Sequence, residues 1–205
     1  MYRSIIKRLF DIIGSLALFP VVIFVVLFFA PIICLTDKGP VFYNATRAGK
    51  GYKPFKMFKL RSMYVDSPDL RNPDGSTFNS DNDSRVTPIG RFLRKTSLDE
   101  LPQILNVLFG DMSFVGPRPK LYKEGRLDNE KDENVIKSFS VKPGITGFAQ
   151  AYYRNSITQD EKYKWDTYYA DHVSFGLDVK IIWQTLVSVI ARKNINSEQS
   201  NKKAQ

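Results

Sequence analysis

Residues 94 to 103 read Arg-Lys-Thr-Ser-Leu-Asp-Glu-Leu-Pro-Gln, which sets two adjacent carboxylates, Asp99 and Glu100, beside Arg94 and Lys95. A short distance downstream Arg118 stands between Pro117 and Pro119. An ionised carboxylate can attack phosphorus, and arginine offers phosphate a bidentate contact. Two carboxylates that share substrate phosphate oxygens also suit one Mg²⁺, so Asp99 and Glu100 are the candidate metal ligands. The flanking prolines fix the backbone of Arg118 at low entropic cost. Such a set suits chemistry on a phosphate diester or diphosphate, provided the segments meet in space. A structural reading competes: Ser97 to Glu100 matches a capping box, with acidic residues suited to a helix's first turn. Pro102 weakens that reading, because it falls where an intrahelical N–H should already donate.

Composition narrows the setting. A chain of 205 residues is most simply one domain with room for a core, and its formal charge of +9 points to an anionic partner: membrane headgroups, a nucleotide or nucleic acid. The single cysteine, Cys34, excludes intramolecular disulfides. His172 is the only histidine, which excludes zinc sites built on several His and Cys and leaves acid–base work mainly to carboxylates.

The candidate residues need an anchor and a scaffold. From Ile12 to Leu35 there is no charge, and Val, Ile, Leu and Phe dominate. As a helix, that run would reach about 36 Å against a hydrocarbon core of about 30 Å. It is longer than a signal-peptide core and no small-x-small cleavage site follows it. Pro20 interrupts the run, and basic residues lie on both sides: Arg3, Lys7 and Arg8 before it, Lys38, Arg47, Lys50, Lys53, Lys56, Lys59 and Arg61 after it. Both flanks therefore favour the cytoplasm. A helix that enters, breaks near Pro20 and returns satisfies this better than one that spans.

Beyond it, strands are expected around Val41–Tyr43 and Phe55–Leu60, joined by a turn at Gly49-Lys50-Gly51. Residues 66 to 83 read as a solvated loop. Apolar spacing predicts helices around Ile89–Leu93 and Leu101–Phe109, and Lys120–Phe139 has helical character. Further helices are expected at Thr158–Ala170, rich in aromatics, and at Leu177–Ala191, followed by a polar tail from residue 193. The apolar faces of Leu101–Phe109 and Leu177–Ala191 suit either the core or a membrane interface. The expected fold is α+β: a re-entrant anchor over residues 1–36, a small mixed domain over 37–192 with interfacial helices and a short β-hairpin, and the tail 193–205.

The chain resembles the small monotopic bacterial sugar transferases, phosphoglycosyl transferases that load a sugar phosphate onto a polyprenyl phosphate carrier. The resemblance rests on Pro54-Phe55-Lys56 to Arg61-Ser62-Met63, on residues 94 to 103, on Gly116-Pro117-Arg118-Pro119 and on Lys142-Pro143-Gly144-Ile145-Thr146-Gly147. It implies that Asp99 attacks the β-phosphorus of a UDP-sugar, releasing UMP, and that polyprenyl phosphate then takes the phosphosugar from Asp99. It implies that Glu100 and Mg²⁺ organise the diphosphate, and that Lys59, Arg94 and Arg118, with Pro117 and Pro119 holding Arg118, contact phosphate. It also implies an active site on the cytoplasmic face of the bacterial inner membrane, with no nucleic-acid partner and homo-oligomerisation left open. One departure stands out. Family members often carry Asn-Gly-Arg-Asn where this chain has Tyr152-Tyr153-Arg154-Asn155, so the sugar is left unnamed.

Two other readings fit the residues alone. One is a membrane-anchored basic module, using Lys38 to Arg61 to bind anionic lipid or nucleic acid without catalysis. The other is a metal-dependent phosphatase or nuclease with water as acceptor.

Overall fold

A computed structural model describes residues 2–70, 78, 80, 82–127, 130–154 and 156–190, with only the backbone at 189 and 190. Residues 71–77 of the expected loop, Asn155 and the expected tail lie outside the described residues. The fold is mixed α and β: a long apolar N-terminal helix against a small domain of short helices and strands.

After one wide turn at Tyr2–Ile6, helix α1 runs over Lys7–Asp37 and ends on Lys38 in the left-handed conformation (φ 54°). Tyr2–Asp37 is long and apolar enough to cross a membrane. The expected break at Pro20 does not show as a gap, since the helix continues through Pro20 and Pro31. Both ends of α1 are bonded to the same domain. At the N-terminal end Arg8 donates to Val107 O and Leu108 O, and Asp11 accepts from Ser113 Oγ and Phe114 N, each at 3.0 Å. Lys7 and Tyr2 both reach Asp178 Oδ2 at 2.6 Å. At the other end Asp37 pairs with Arg61, which also donates to Ile33 O and Pro40 O. Between these clamps Val25, Phe29 and Ile33 are buried with Leu60 and Leu93, while Phe24 and Leu27 point outward.

The expected hairpin forms with its first strand shifted. Strand β1 (Ala45–Ala48) pairs antiparallel with β2 (Pro54–Met57), Ala45 opposite Met57 and Ala48 opposite Pro54. The expected strand at Val41–Tyr43 is reduced to a bridge between Phe42 and Leu60. The turn does sit at Gly49-Lys50-Gly51, where Gly51 takes φ 65°.

Helix α2 (Pro88–Thr96) starts from a Thr87 cap that accepts from Gly90 N, and buries Leu93 while leaving Phe92 exposed. Helix α3 (Gln103–Phe109) follows, burying Ile104 and Val107 and exposing Phe109. Strand β3 (Ser113–Val115) comes next, then β4 (Lys120–Leu121), which adds to the free edge of β1. The helical character expected over Lys120–Phe139 is confined to α4 (Glu133–Ser138). Strand β5 (Gly144–Thr146) pairs in parallel with β3. The pairing is close: a methyl on Gly116 would collide with Lys142 O, and one on Gly144 with Gly116 N. Helices α5 (Phe148–Tyr152), α6 (Gln159–Asp171) and α7 (Phe175–Ile190) complete the domain, α6 and α7 near their expected bounds. Helix α7 buries Ile181 and turns Phe175, Val179, Ile182, Trp183 and Leu186 outward.

Candidate active site

The chain brings Lys59 to Asp99 through its backbone. Tyr43 N–H donates to Lys59 O (2.8 Å), extending the hairpin past β2, and Leu60 N–H donates to Asp99 O (2.9 Å). Asp99 and Glu100 lie in a single 3₁₀ turn, Leu98–Glu100, between α2 and α3. The competing capping box is not formed, in line with the doubt Pro102 cast on it. Ser97 adopts the left-handed conformation (φ 58°) as the C-cap of α2, and its side chain caps nothing. Pro102 explains why: it sits at the cap of α3, where no N–H is needed, so the helix starts after the acidic pair rather than at Ser97. A capping box does form at Thr158 and Glu161 of α6.

Freed from capping, both carboxylates turn to cations. Lys59 Nζ lies 2.9 Å from Asp99 Oδ2 and 3.3 Å from Glu100 Oε1. Arg118 Nη2 lies 2.9 Å from that same Glu100 oxygen. Pro117 and Pro119 are buried and Arg118 between them projects outward, its side chain 55% exposed. The glycine-tight β3–β5 pair sets this segment, with Gly144 N–H donating to Pro117 O (2.9 Å). Arg94 closes the set from α2, its Nε donating to Ser62 Oγ (2.9 Å).

The electrostatics follow from enclosure. Burial opposes ionisation of Glu100, but Arg118 and then Lys59 outweigh it and hold the carboxyl down at about 2, from an ordinary 4.5. Glu100 in turn raises Arg118. Burial lowers Arg94, against the support of Asp99 and Asp83. Asp99 is almost wholly enclosed, its side chain 3% exposed.

All the expected site residues, Lys59, Arg94, Asp99, Glu100, Pro117, Arg118 and Pro119, thus fall around one acidic turn. Sequence reasoning did not assign Arg154, Ser62 or Asp83. Arg154 is half-buried in a left-handed conformation (φ 50°); burial lowers its pKa, and Glu100 supports its charge. Its signal was the unusual Tyr153-Arg154 run. Asp83 is held by a two-pronged contact from Arg85 (2.9 and 2.7 Å) and supports Arg94 from behind, for which the sequence carries no spacing signal.

No group of three or more His, Cys, Asp or Glu side chains that could hold a metal occurs among the described residues. The donor set for a divalent cation is therefore two carboxylates. Asp99 Oδ1 and Glu100 Oε2 make no hydrogen bond or ion pair among the described residues, since the cations all contact the other oxygens. Two free hard oxygens fit Mg²⁺, which usually takes one or two carboxylates and completes its shell from phosphate and water.

Comparison with known proteins places the chain. The model of the bacterial sugar transferase family matches residues 2–192. The sugar transferase EpsL of Bacillus subtilis (strain 168) is 40% identical over 197 residues, covering 96% of this chain and 92% of EpsL. The UDP-glucose:undecaprenyl-phosphate glucose-1-phosphate transferase of Klebsiella pneumoniae is 39% identical over 201 residues, 94% of this chain but 42% of that protein. The UDP-N-acetylgalactosamine-undecaprenyl-phosphate N-acetylgalactosaminephosphotransferase of Aeromonas hydrophila is 36% identical over 194 residues, 91% of this chain and 44% of that protein. The chain therefore spans nearly all of the first relative and less than half of the other two.

Proposed function

The chain belongs to the bacterial sugar transferase family and is a phosphoglycosyl transferase, and on that footing we propose that it moves a sugar 1-phosphate from a UDP-sugar to polyprenyl phosphate with release of UMP. In the first step an Asp99 carboxylate oxygen bonds to the β-phosphorus of the donor. The bond from that phosphorus to the bridging oxygen breaks, and UMP leaves with the electron pair. In the second step a phosphate oxygen of the lipid bonds to the same phosphorus, and the Asp99 carboxylate departs unchanged.

The observation that carries this reading is the acidic turn itself. One Asp99 oxygen is fixed by Lys59 while the other is free to attack, and Glu100 is held ionised by Arg118 and Lys59. Arg94 and Arg154 bring positive charge toward the pair, where a diphosphate would need it. Mg²⁺, held through the free Glu100 oxygen beside Asp99, would neutralise phosphate charge and leave the free Asp99 oxygen to attack. The sugar stays open, since the relatives above use different ones.

Membrane association follows from the apolar α1 and from relatives whose substrate is a lipid phosphate. We place the protein on the cytoplasmic face of the inner membrane with α1 re-entrant. Both ends of α1 are bonded to one domain, which suits a helix that dips into one leaflet. The test is UMP release from a UDP-sugar panel with Mg²⁺ and undecaprenyl phosphate, comparing wild type with Asp99→Asn. Release that needs the lipid and vanishes in the variant is expected. Release that persists in Asp99→Asn would remove the covalent step.

A further inference from the structure

Lys142 opens the Lys142-Pro143-Gly144 run, yet the proposed reaction gives its side chain nothing to do. Its Nζ makes no hydrogen bond or ion pair among the described residues. It reaches over the C-terminal turn of α3, where an ideal Cβ on Gly110 would lie 3.4 Å from Lys142 Nζ and 3.3 Å from Arg8 Nη2. Arg8 is pinned at that spot by Val107 O and Leu108 O. Two like charges therefore converge, and Lys50, from the hairpin turn, adds to their repulsion. Burial, then Arg8 and Lys50, lower the pKa of Lys142, with Asp11 and Asp111 opposing. These are the largest influences on Lys142, and none belongs to the Asp99 site.

The surroundings say what would neutralise the excess. Phe109 at the end of α3 is 66% exposed, and Ile5 and Leu9, on either side of Arg8, are 65% and 56% exposed. Cations rimmed by exposed apolar side chains match the level where lipid phosphates meet acyl chains.

We propose that Arg8, Lys142 and Lys50 form a phosphate-binding site for the headgroup of an anionic phospholipid in the surrounding bilayer, separate from the site of group transfer. The lipid phosphate adds negative charge beyond that of Asp11 and Asp111, and its chains cover Phe109 and Leu9. A bound lipid here ties the start of α1 to the end of α3 and fixes the depth of the domain.

The test titrates the detergent-solubilised 205-residue chain with dioctanoyl-phosphatidylglycerol, dioctanoyl-phosphatidylcholine, inorganic phosphate and a short-chain polyprenyl phosphate, reading the thermal midpoint. Phosphatidylglycerol should raise the midpoint saturably, Lys142→Gln should weaken its binding about fivefold, and Asp99→Asn should leave it unchanged. The exposed Lys50→Gln, with a smaller loss expected, carries the test if Lys142→Gln does not fold. Equal shifts from phosphatidylcholine or from inorganic phosphate would overturn the anionic-lipid assignment. Displacement by polyprenyl phosphate would make this a site for the acceptor instead, and an unaltered titration in both lysine variants would remove the site.

Discussion

Replacing Lys59 by Met removes the one ammonium among the described residues that touches both carboxylates. Breaking a buried pair by deleting one partner costs about 3–5 kcal/mol. Here Glu100 keeps Arg118, which is half in solvent, so about 2–3 kcal/mol is expected at neutral pH. The pH dependence gives the sharper signature. Glu100 has a folded pKa of about 2 against an ordinary 4.5, so its contribution is full above pH 4.5 and is lost as the pH falls toward 2. Burial opposes this depression, Arg118 supplies the larger share and Lys59 the next, so the variant retains part of it. The stability gap between wild type and Lys59→Met should therefore be widest above pH 4.5 and narrow on acidification. Thermal midpoints of the detergent-solubilised proteins across that range measure the gap. Turnover should fall at least about 100-fold, with its acidic limb moved to higher pH, and Lys59→Arg should recover part of the stability. A gap that stays constant with pH would refute the claim that Lys59 acts on an ionised Glu100.

Arg118→Ala should cut UMP release about 100-fold while leaving the protein in the membrane fraction, since Arg118 contacts Glu100 and no part of α1 among the described residues. Gly116→Ala should cost about 3 kcal/mol by driving a methyl into the Lys142 backbone, and should lower turnover by displacing Arg118. Gly51→Ala, with open space around it and only its positive φ against it, should cost about 1 kcal/mol; equal losses in a thermal melt would contradict the packing of the β3–β5 pair. With Cys34 replaced by Ser, single cysteines at Arg3 and Thr36 should react with an impermeant reagent from the same side of sealed vesicles. Labelling from opposite sides would make α1 a spanning helix.

Much of the candidate site was legible as a grouping because its residues concentrate in runs: an acidic pair beside two basic residues, and an arginine between prolines. Their meeting was not legible from spacing. Strands of two or three residues, such as β3, β4 and β5, show no alternation, and only the glycines at 116, 144 and 147 hinted that two backbones must touch. The capping box failed for a similar reason. Ser97 is followed by the right residue types, but its left-handed backbone is set by the end of α2 and by Pro102, not by its own side chain. The hairpin turn was readable from its glycines, whereas β1 at Ala45–Ala48 also pairs with the distant β4, Arg47 opposite Leu121 and Ala48 opposite Lys120.

Helix α1 looks in sequence like a tether that any hydrophobic helix could replace. Its packing says otherwise. Val25, Phe29 and Ile33 share one cluster with Leu60 and Leu93, next to the strand end that carries Lys59 and the helix that carries Arg94. Trimming the first 36 residues would not yield a water-soluble catalyst. It would uncover the wall behind the acidic turn and leave Arg61 without the backbone carbonyl of Ile33. In this protein the long apolar helix and the acidic turn are folded as one piece.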